Sequence, residues 1–166
     1  YEIGKNFRNE GISVRHNPEF TAIEFYEAYA TVEQMIEHTE QLLNGLCKEL
    51  HDGAETLTYH PAGGDEELEI DFSLPFRRLP VIDGLVEYAG VPADRVEDRE
   101  FLTGFAKDKH HLELPANTLL GKVQMELFDH CAEPNLVNPT FVTDYPTDVS
   151  PLARRKDGNP DYTDRF

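Results

Sequence analysis

The first thirty residues carry side chains whose types and spacing suit a nucleotide. Arg8 is followed by a polar loop of about ten residues, 9–18, and Phe20 stands where that loop ends. The guanidinium fork of arginine suits phosphate because it donates two parallel hydrogen bonds. An aromatic ring can stack on a nucleobase. Hairpin loops usually have about two to five residues, so this length favours a functional loop over a merely connecting one.

Two polar side chains follow on the next predicted strand, residues 20–29. Alternation along a strand puts Phe20, Glu24 and Tyr26 on the same face. Glu24 has apolar neighbours, and a buried carboxylate is costly unless a cation or hydrogen-bond donors meet it. Two interpretations stay open. Glu24 forms an internal salt bridge, or it faces the ammonium group of a ligand with the Tyr26 hydroxyl beside it.

The charge balance excludes several classes of protein. Lys and Arg number 15 against 32 Asp and Glu, a formal net charge of −17. A generally basic surface for nucleic acid is therefore excluded, although a local basic site is not. The chain lacks both the roughly 18 consecutive apolar residues of a membrane helix and a signal-peptide pattern. It also lacks the glycine-rich patterns of P-loop and Rossmann nucleotide sites.

Cysteine and histidine usage predicts reduced thiols and no metal site. The two cysteines, Cys47 and Cys131, form no CxxC pair, which favours a cytoplasmic location. Histidine or cysteine neighbours occur at positions 110–111 and 130–131. Adjacent residues on a helix do not face one another, so these pairs do not predict metal ligation.

The elements that must position these side chains follow from periodicity. Residues 1–7 and 20–29 are predicted to form antiparallel strands. A helix is predicted from a Thr31–Gln34 capping box to the Asp52-Gly53 stop. Its apolar stripe is interpreted as core and comprises Val32, Met35, Ile36, Leu42, Leu43, Leu46 and Leu50.

The rest of the chain mixes strands and helices. The patterns predict a β pair within residues 54–76 around a Gly63-Gly64 turn, a short helix in 80–88, helices with loops in 91–114, a helix over 119–131 and a strand over 139–145. The tail after Ser150 shows no periodicity. Hairpin-type connections favour an α+β fold with an antiparallel sheet.

Two stretches resemble a known family. FRNEGIS at residues 7–13 and RHNPEFT at 15–21, followed by Glu24 and Tyr26, closely resemble motif 2 of class II lysyl-tRNA synthetases. NPTFVTDYP at 138–146, VSPLARR at 149–155 and DRF at 164–166 also resemble that family. The resemblance implies an α+β, class II aminoacyl-tRNA synthetase-like antiparallel sheet flanked by helices.

The resemblance implies an ATP site on six residues: Arg8, Glu10, Arg15, His16, Asn17 and Phe20. By analogy, Glu10 would sit near the adenine amino group and the acceptor end of tRNA. Arg15 and His16 would approach the outer phosphates. Asn17 would lie beside the adenine, and Phe20 would stack on it.

The implied catalytic and lysine-binding residues overlap with that site. Arg8 would hold both the α-phosphate of ATP and the carboxylate of lysine, while Glu24 and Tyr26 would meet the ammonium groups. The reaction would join lysine and ATP to give lysyl-adenylate and pyrophosphate, and would then transfer lysine to tRNA(Lys). Such a reaction needs positioning and charge stabilisation of an in-line attack.

Relative to that family, we expect the chain to be an internal piece of the catalytic domain, inactive by itself. Its motif 2 hairpin would occupy residues 1–29, a helical and β insertion about 52–115, and a helix and strand 117–146. The anticodon-binding domain, motif 1 and motif 3 would be absent. The ligands of the expected Mg²⁺ would lie beyond the chain, and the parent enzyme would be a homodimer.

Two alternatives remain at this point. One is a related lysyltransferase that modifies an elongation factor, although that branch usually differs at residues 11–15 and lacks the sequence at 150–155. The other is a non-catalytic, synthetase-like binding module, which the intact motif residues disfavour.

Overall fold

A two-stranded hairpin forms the first of two units into which the chain divides, residues 1–31 and 32–166. The computed structural model describes residues 1–9, 11–13, 16–61 and 66–166. Strand β1 (Glu2–Phe7) pairs antiparallel with β2 (Glu19–Glu24), which confirms the predicted pair. The second strand is shorter than predicted: it ends at Glu24, and Tyr29 has a φ of 63° that no strand accommodates.

Helix α1 (Val32–Leu50) begins and ends close to the predicted capping box and stop. The interpretation of its apolar stripe as core is wrong for most of the stripe. Ile36 is buried, but four leucines are exposed: Leu42, Leu43, Leu46 and Leu50. Glu40 and Asn44 are buried instead, because a loop supplies them with partners. The Phe76 N–H donates to Glu40 Oε2 at 3.1 Å, and Asn44 Nδ2 donates to the Phe72 carbonyl at 2.8 Å.

The remaining strands of the described ranges pair two by two. Strands β3 (Thr56–Tyr59) and β4 (Leu68–Asp71) form the predicted antiparallel pair, and the Gly63-Gly64 turn lies outside the described residues. Strand β5 (Arg77–Pro80) pairs with β6 (Thr140–Thr143), and this pair is parallel, unlike the antiparallel arrangement expected. The tail forms an unpredicted hairpin of β7 (Arg155–Lys156) and β8 (Asn159–Thr163).

Three further helices surround the larger apolar core. Helix α2 (Val81–Gly84) continues into a π-helical turn, Leu85–Ala89. Helix α3 (Arg99–His110) follows a short 3-10 turn, and α4 (Leu120–Cys131) agrees with the predicted span. The core they enclose contains Leu79, Val81, Leu85, Ala89, Val91, Val96, Leu102, Ala106, Val123, Leu127, Phe128 and Ala132.

The mixture of helices with small, mostly antiparallel sheets confirms the α+β class. In the described ranges, no helix is both long enough and apolar enough to cross a membrane.

Substitution of Gly84 by alanine tests the contact between α2 and α4. An added Cβ at Gly84 would lie 2.8 Å from Phe128 Cδ2, and Phe128 is only 3% exposed. The ring has little room to move, so we expect a loss of about 1–3 kcal/mol in the free energy of unfolding. Gly104→Ala is the matched control, since nothing lies within 4 Å of its added Cβ on α3. That helical replacement should gain about 0.5–1 kcal/mol. Equal effects in urea unfolding would contradict the close contact.

Burial of Tyr162 on β8 predicts a loss of stability at alkaline pH. The side chain is 7% exposed, and its hydroxyl donates to Glu97 Oε1 at 3.2 Å. Burial raises the pKa of Tyr162 from its ordinary 10.0 to about 12. The folded state therefore favours the neutral phenol. This contribution is fully present below pH 10 and is lost as the pH rises towards 12. Denaturant unfolding across that window should show a steeper decline for the wild type than for Tyr162→Phe, and parallel declines would contradict it.

Candidate functional site

The register of the hairpin places two of the predicted site residues, Phe20 and Glu24, on one face. Opposite residues of an antiparallel pair point to the same side of the sheet. Three such pairs line this side, Glu2 with Glu24, Gly4 with Ala22 and Asn6 with Phe20. The Arg8 N–H donates to the Pro18 carbonyl at 2.8 Å and continues the ladder beyond β1. We call this side of the hairpin the site face.

Small residues in the middle of the site face leave a gap. Gly4 and Ala22 stand opposite each other, and a Cβ added at Gly4 would meet only Glu2 Oε1, at 3.8 Å. The gap is a cavity of about 140 Å³ lined by Glu2, Gly4, Lys5, Asn6, Ala22 and Glu24. Space for a narrow chain of atoms is therefore open beside Gly4 and Ala22, next to Glu2 and Glu24.

One end of the site face combines a cation with an aromatic ring. The Cζ atom of Arg8 lies 5.6 Å from the centroid of the Phe20 ring, within the range of a cation–π interaction. Arg8 is exposed and Phe20 is half-buried. No described ion pair involves the Arg8 guanidinium, so its donors can serve an anionic ligand.

The loop between the strands holds the other predicted ATP residues. His16 Nδ1 lies 2.9 Å from Ser13 Oγ, and backbone bonds of 3.1 and 3.3 Å link the same two residues in both directions. Asn17 Oδ1 accepts from the Glu19 N–H at 3.3 Å. These contacts fix the backbone just before β2, where the chain enters the site face. Glu10 and Arg15 lie outside the described residues.

The opposite end of the site face is acidic. Glu24 is the last residue of β2, and its Oε2 accepts a hydrogen bond from the Tyr26 hydroxyl at 3.3 Å. The premise that Glu24 is buried in mid-strand is wrong, because the strand stops there and the side chain is exposed. Among the described residues, no ion pair includes Glu24 or its neighbour Glu2. The internal salt bridge is therefore not found in this part of the chain.

The structure adds residues that the sequence patterns did not single out. Glu2 lines the cavity opposite Glu24, and Gly4 and Ala22 create its space. A signal for them existed, because counting an antiparallel register outward from Phe20 assigns each partner. The count needs one pair of opposite residues as its starting point, and the length of the loop does not determine that pair.

The second family-like stretch packs within residues 32–166. Asn138 Oδ1 accepts from the Asp71 N–H at 3.0 Å. Ser150 Oγ accepts from Arg165 at 2.6 Å, and the Arg165 guanidinium lies 4.7 Å from the Tyr145 ring centroid. The Asn138 bond links the segment before β6 to the end of β4, and the Arg165 contacts link the loop after β6 to the residues that follow β8. Their observed role is structural.

Comparisons with known proteins match the whole length of the chain. The family model described as "tRNA synthetases class II (D, K and N)" matches residues 1–166. The chain is 46% identical to a protein of Tolumonas auensis, 47% identical to one of Aeromonas hydrophila and 47% identical to one of Aliarcobacter butzleri, each named lysine–tRNA ligase. Each match covers 100% of this chain but only 31–32% of the relative.

The chain thus spans about a third of the length of the curated relatives that it matches. The site face carries Arg8 and Phe20 at one end and Glu24, bonded to Tyr26, at the other. Since the family model matches every residue from 1 to 166, the chain belongs to the class II tRNA synthetases of the D, K and N group.

Proposed function

We propose that this chain supplies the motif 2 part of a lysine–tRNA ligase, which activates lysine with ATP and transfers it to tRNA(Lys). The observation that carries the proposal is the order of groups along the site face. An arginine and an aromatic ring mark one end, a narrow gap follows, and a carboxylate with a phenol marks the other. That order matches an adenylate with an amine at its far end.

The dimensions of the site face support this substrate. Glu24 and Phe20 are four residues apart on one strand, which is about 14 Å at ~3.4 Å per residue. The small Gly4–Ala22 pair lies between them. A flexible alkyl chain fits over two residues that lack bulky side chains.

Arg8 would carry the chemistry of the first step. A lysine carboxylate oxygen attacks the α-phosphorus of ATP, the new C–O–P linkage forms, and the bond to pyrophosphate breaks. The charge on the α-phosphoryl oxygens increases in the transition state, and a fixed guanidinium stabilises it. The same fork can orient the attacking carboxylate, which lowers the entropic part of the barrier. Phe20 would hold the adenine by stacking. Glu24 and Tyr26 would bind the ammonium group of lysine.

The remaining members of the proposed site rest on the family resemblance. By that resemblance we propose that four further residues contact ATP: Glu10, Arg15, His16 and Asn17. Mg²⁺ is expected with ATP, but within the described residues no group of three or more His, Cys, Asp or Glu is placed to hold a metal. We likewise propose that the parent enzyme is a homodimer. The proposed division of the chain is a motif 2 hairpin at residues 1–29, an insertion at about 52–115 and a helix and strand at 117–146.

The names of the relatives favour a tRNA ligase over the two alternatives. The proteins of T. auensis, A. hydrophila and A. butzleri are named for ligation to tRNA, and a lysyltransferase for an elongation factor would use a protein acceptor. The decisive measurement is ATP–pyrophosphate exchange by the natural polypeptide that contains this chain, followed by transfer of labelled lysine. We expect lysine-dependent exchange and label on tRNA(Lys). Absence of exchange, or label on a protein acceptor, would refute the proposal.

A further inference from the structure

We propose that Glu2 is a second carboxylate of the amine end of the site face, and that Glu2 and Glu24 together bind the side-chain ammonium of the amino acid. This inference rests on the function proposed above and adds a specificity-determining residue to it. Three observations carry it, namely the strand register, the position of the Glu2 carboxylate and the charges around it.

The register makes Glu2 and Glu24 a directly opposed pair. Glu2 is the partner of Glu24 in the antiparallel ladder, so both side chains leave the same face of the hairpin. Like charges that stand directly opposite each other destabilise a sheet. A cation between the two carboxylates removes that cost.

The Glu2 carboxylate reaches over the gap. Its Oε1 atom is the only atom within 4 Å of a Cβ built on Gly4, at 3.8 Å, apart from the immediate chain neighbours. Glu2 and Glu24 both line the cavity of about 140 Å³. The acidic pair is therefore at one wall of the space in which the amino acid would lie.

The charges around the acidic pair point to a ligand as the missing cation. In the described part of the chain, the ion pairs of the hairpin include Lys5 with Glu19 at 3.3 Å, on the other face, and none with Glu2 or Glu24. Tyr26 gives Glu24 a neutral hydroxyl, which leaves its charge uncompensated. A primary ammonium supplies one positive charge and three hydrogen-bond donors.

The distance from Arg8 decides which ammonium of lysine reaches the pair. The Arg8 guanidinium lies at the Phe20 ring, four residues before Glu24 on β2, which is about 14 Å along the strand at ~3.4 Å per residue. An extended lysine of roughly 7 Å covers that span with a hydrogen bond of about 3 Å at each end. The carboxylate to be activated belongs at the Arg8 end, and the α-ammonium is attached to the neighbouring carbon. The side-chain ammonium is the group that extends towards Glu2 and Glu24. The pair thus selects amino acids with a distal primary amine.

The test compares Glu2→Gln and Glu24→Gln in the natural polypeptide that contains this chain. Lysine-dependent ATP–pyrophosphate exchange gives KM for lysine and for ATP, and inhibition by norleucine gives the affinity for the carbon chain of lysine without its ammonium. For E2Q we expect a rise in lysine KM of roughly 30-fold or more, an unchanged ATP KM, and norleucine inhibition that is unchanged or stronger. Glu19→Gln, the same charge change on the other face, should alter none of these.

Two outcomes would overturn the role of Glu2. One is a lysine KM within twofold of wild type for E2Q while E24Q is impaired. The other is a parallel loss of lysine and norleucine affinity, which indicates a structural role. Either result leaves the proposed ligase function standing. Failure of that function has a different signature, because the wild-type polypeptide would then show no lysine-dependent exchange.

Discussion

Replacement of Arg8 by alanine is expected to lower kcat/KM for lysine-dependent ATP–pyrophosphate exchange by roughly 10²- to 10³-fold, the usual effect of removing a donor to developing negative charge. The measurement applies to the natural polypeptide that contains this chain. Arg8→Lys keeps the charge but loses the planar fork, so it should restore only part of the rate. The ATP KM should rise as well, because the same guanidinium would meet the α-phosphate in the ground state.

The stability of the protein should change little in the Arg8 variants. Arg8 is exposed, and its described side-chain contact is the Phe20 ring at 5.6 Å. A cation–π contact of this kind contributes about 0.5–1 kcal/mol at an exposed site. Lys5→Ala is the matched control, since it removes a cation from the same strand that pairs with Glu19 on the other face. An Arg8 variant with wild-type kcat/KM, or one that loses no more than Lys5→Ala, would remove Arg8 from the catalytic role.

Replacement of Glu24 by glutamine should impair the use of lysine without unfolding the protein. The substitution keeps the shape of the side chain and its bond to Tyr26 but removes the charge. Truncating one side of a charge pair that becomes buried on binding costs roughly 2–5 kcal/mol, so the lysine KM should rise by roughly 30-fold or more. The ATP KM should stay close to wild type, because Phe20 and Arg8 lie at the other end of the site face.

The melting temperature distinguishes this role of Glu24 from scaffolding. In the described residues Glu24 is exposed and pairs with no cation, so the apo Tm should be unchanged or slightly higher after E24Q. A buried salt bridge would behave differently, with a loss of about 3–5 kcal/mol from the partner left unpaired. A large fall in Tm together with an unchanged lysine KM would show that Glu24 is structural, and it would then leave the proposed site.

Helix caps and the apolar periodicity of the sequence predicted the positions of two helices. The capping box and Gly53 bounded α1, and the apolar period of residues 119–131 gave α4. Both depend on interactions within a few residues, which the sequence shows directly. The residue types alone singled out Arg8, Phe20 and Glu24, since few other residues supply their chemistry, and their role in binding stays a prediction. The hairpin that presents them followed from β-forming residues on either side of a polar loop.

Contacts between residues far apart in the sequence determine which side chains are buried and which strands pair, and local patterns do not show them. The exposed side of α1 includes Leu42, while Glu40 is buried, because only the folded chain brings the Phe76 N–H to that carboxylate. The parallel pairing of β5 with β6 joins segments some 60 residues apart, and no local pattern encodes it. The same reason applies to the site face. Glu24 was identified by its type, but the register alone placed Glu2 beside it, and the end of β2 at Glu24 made the carboxylate exposed rather than buried.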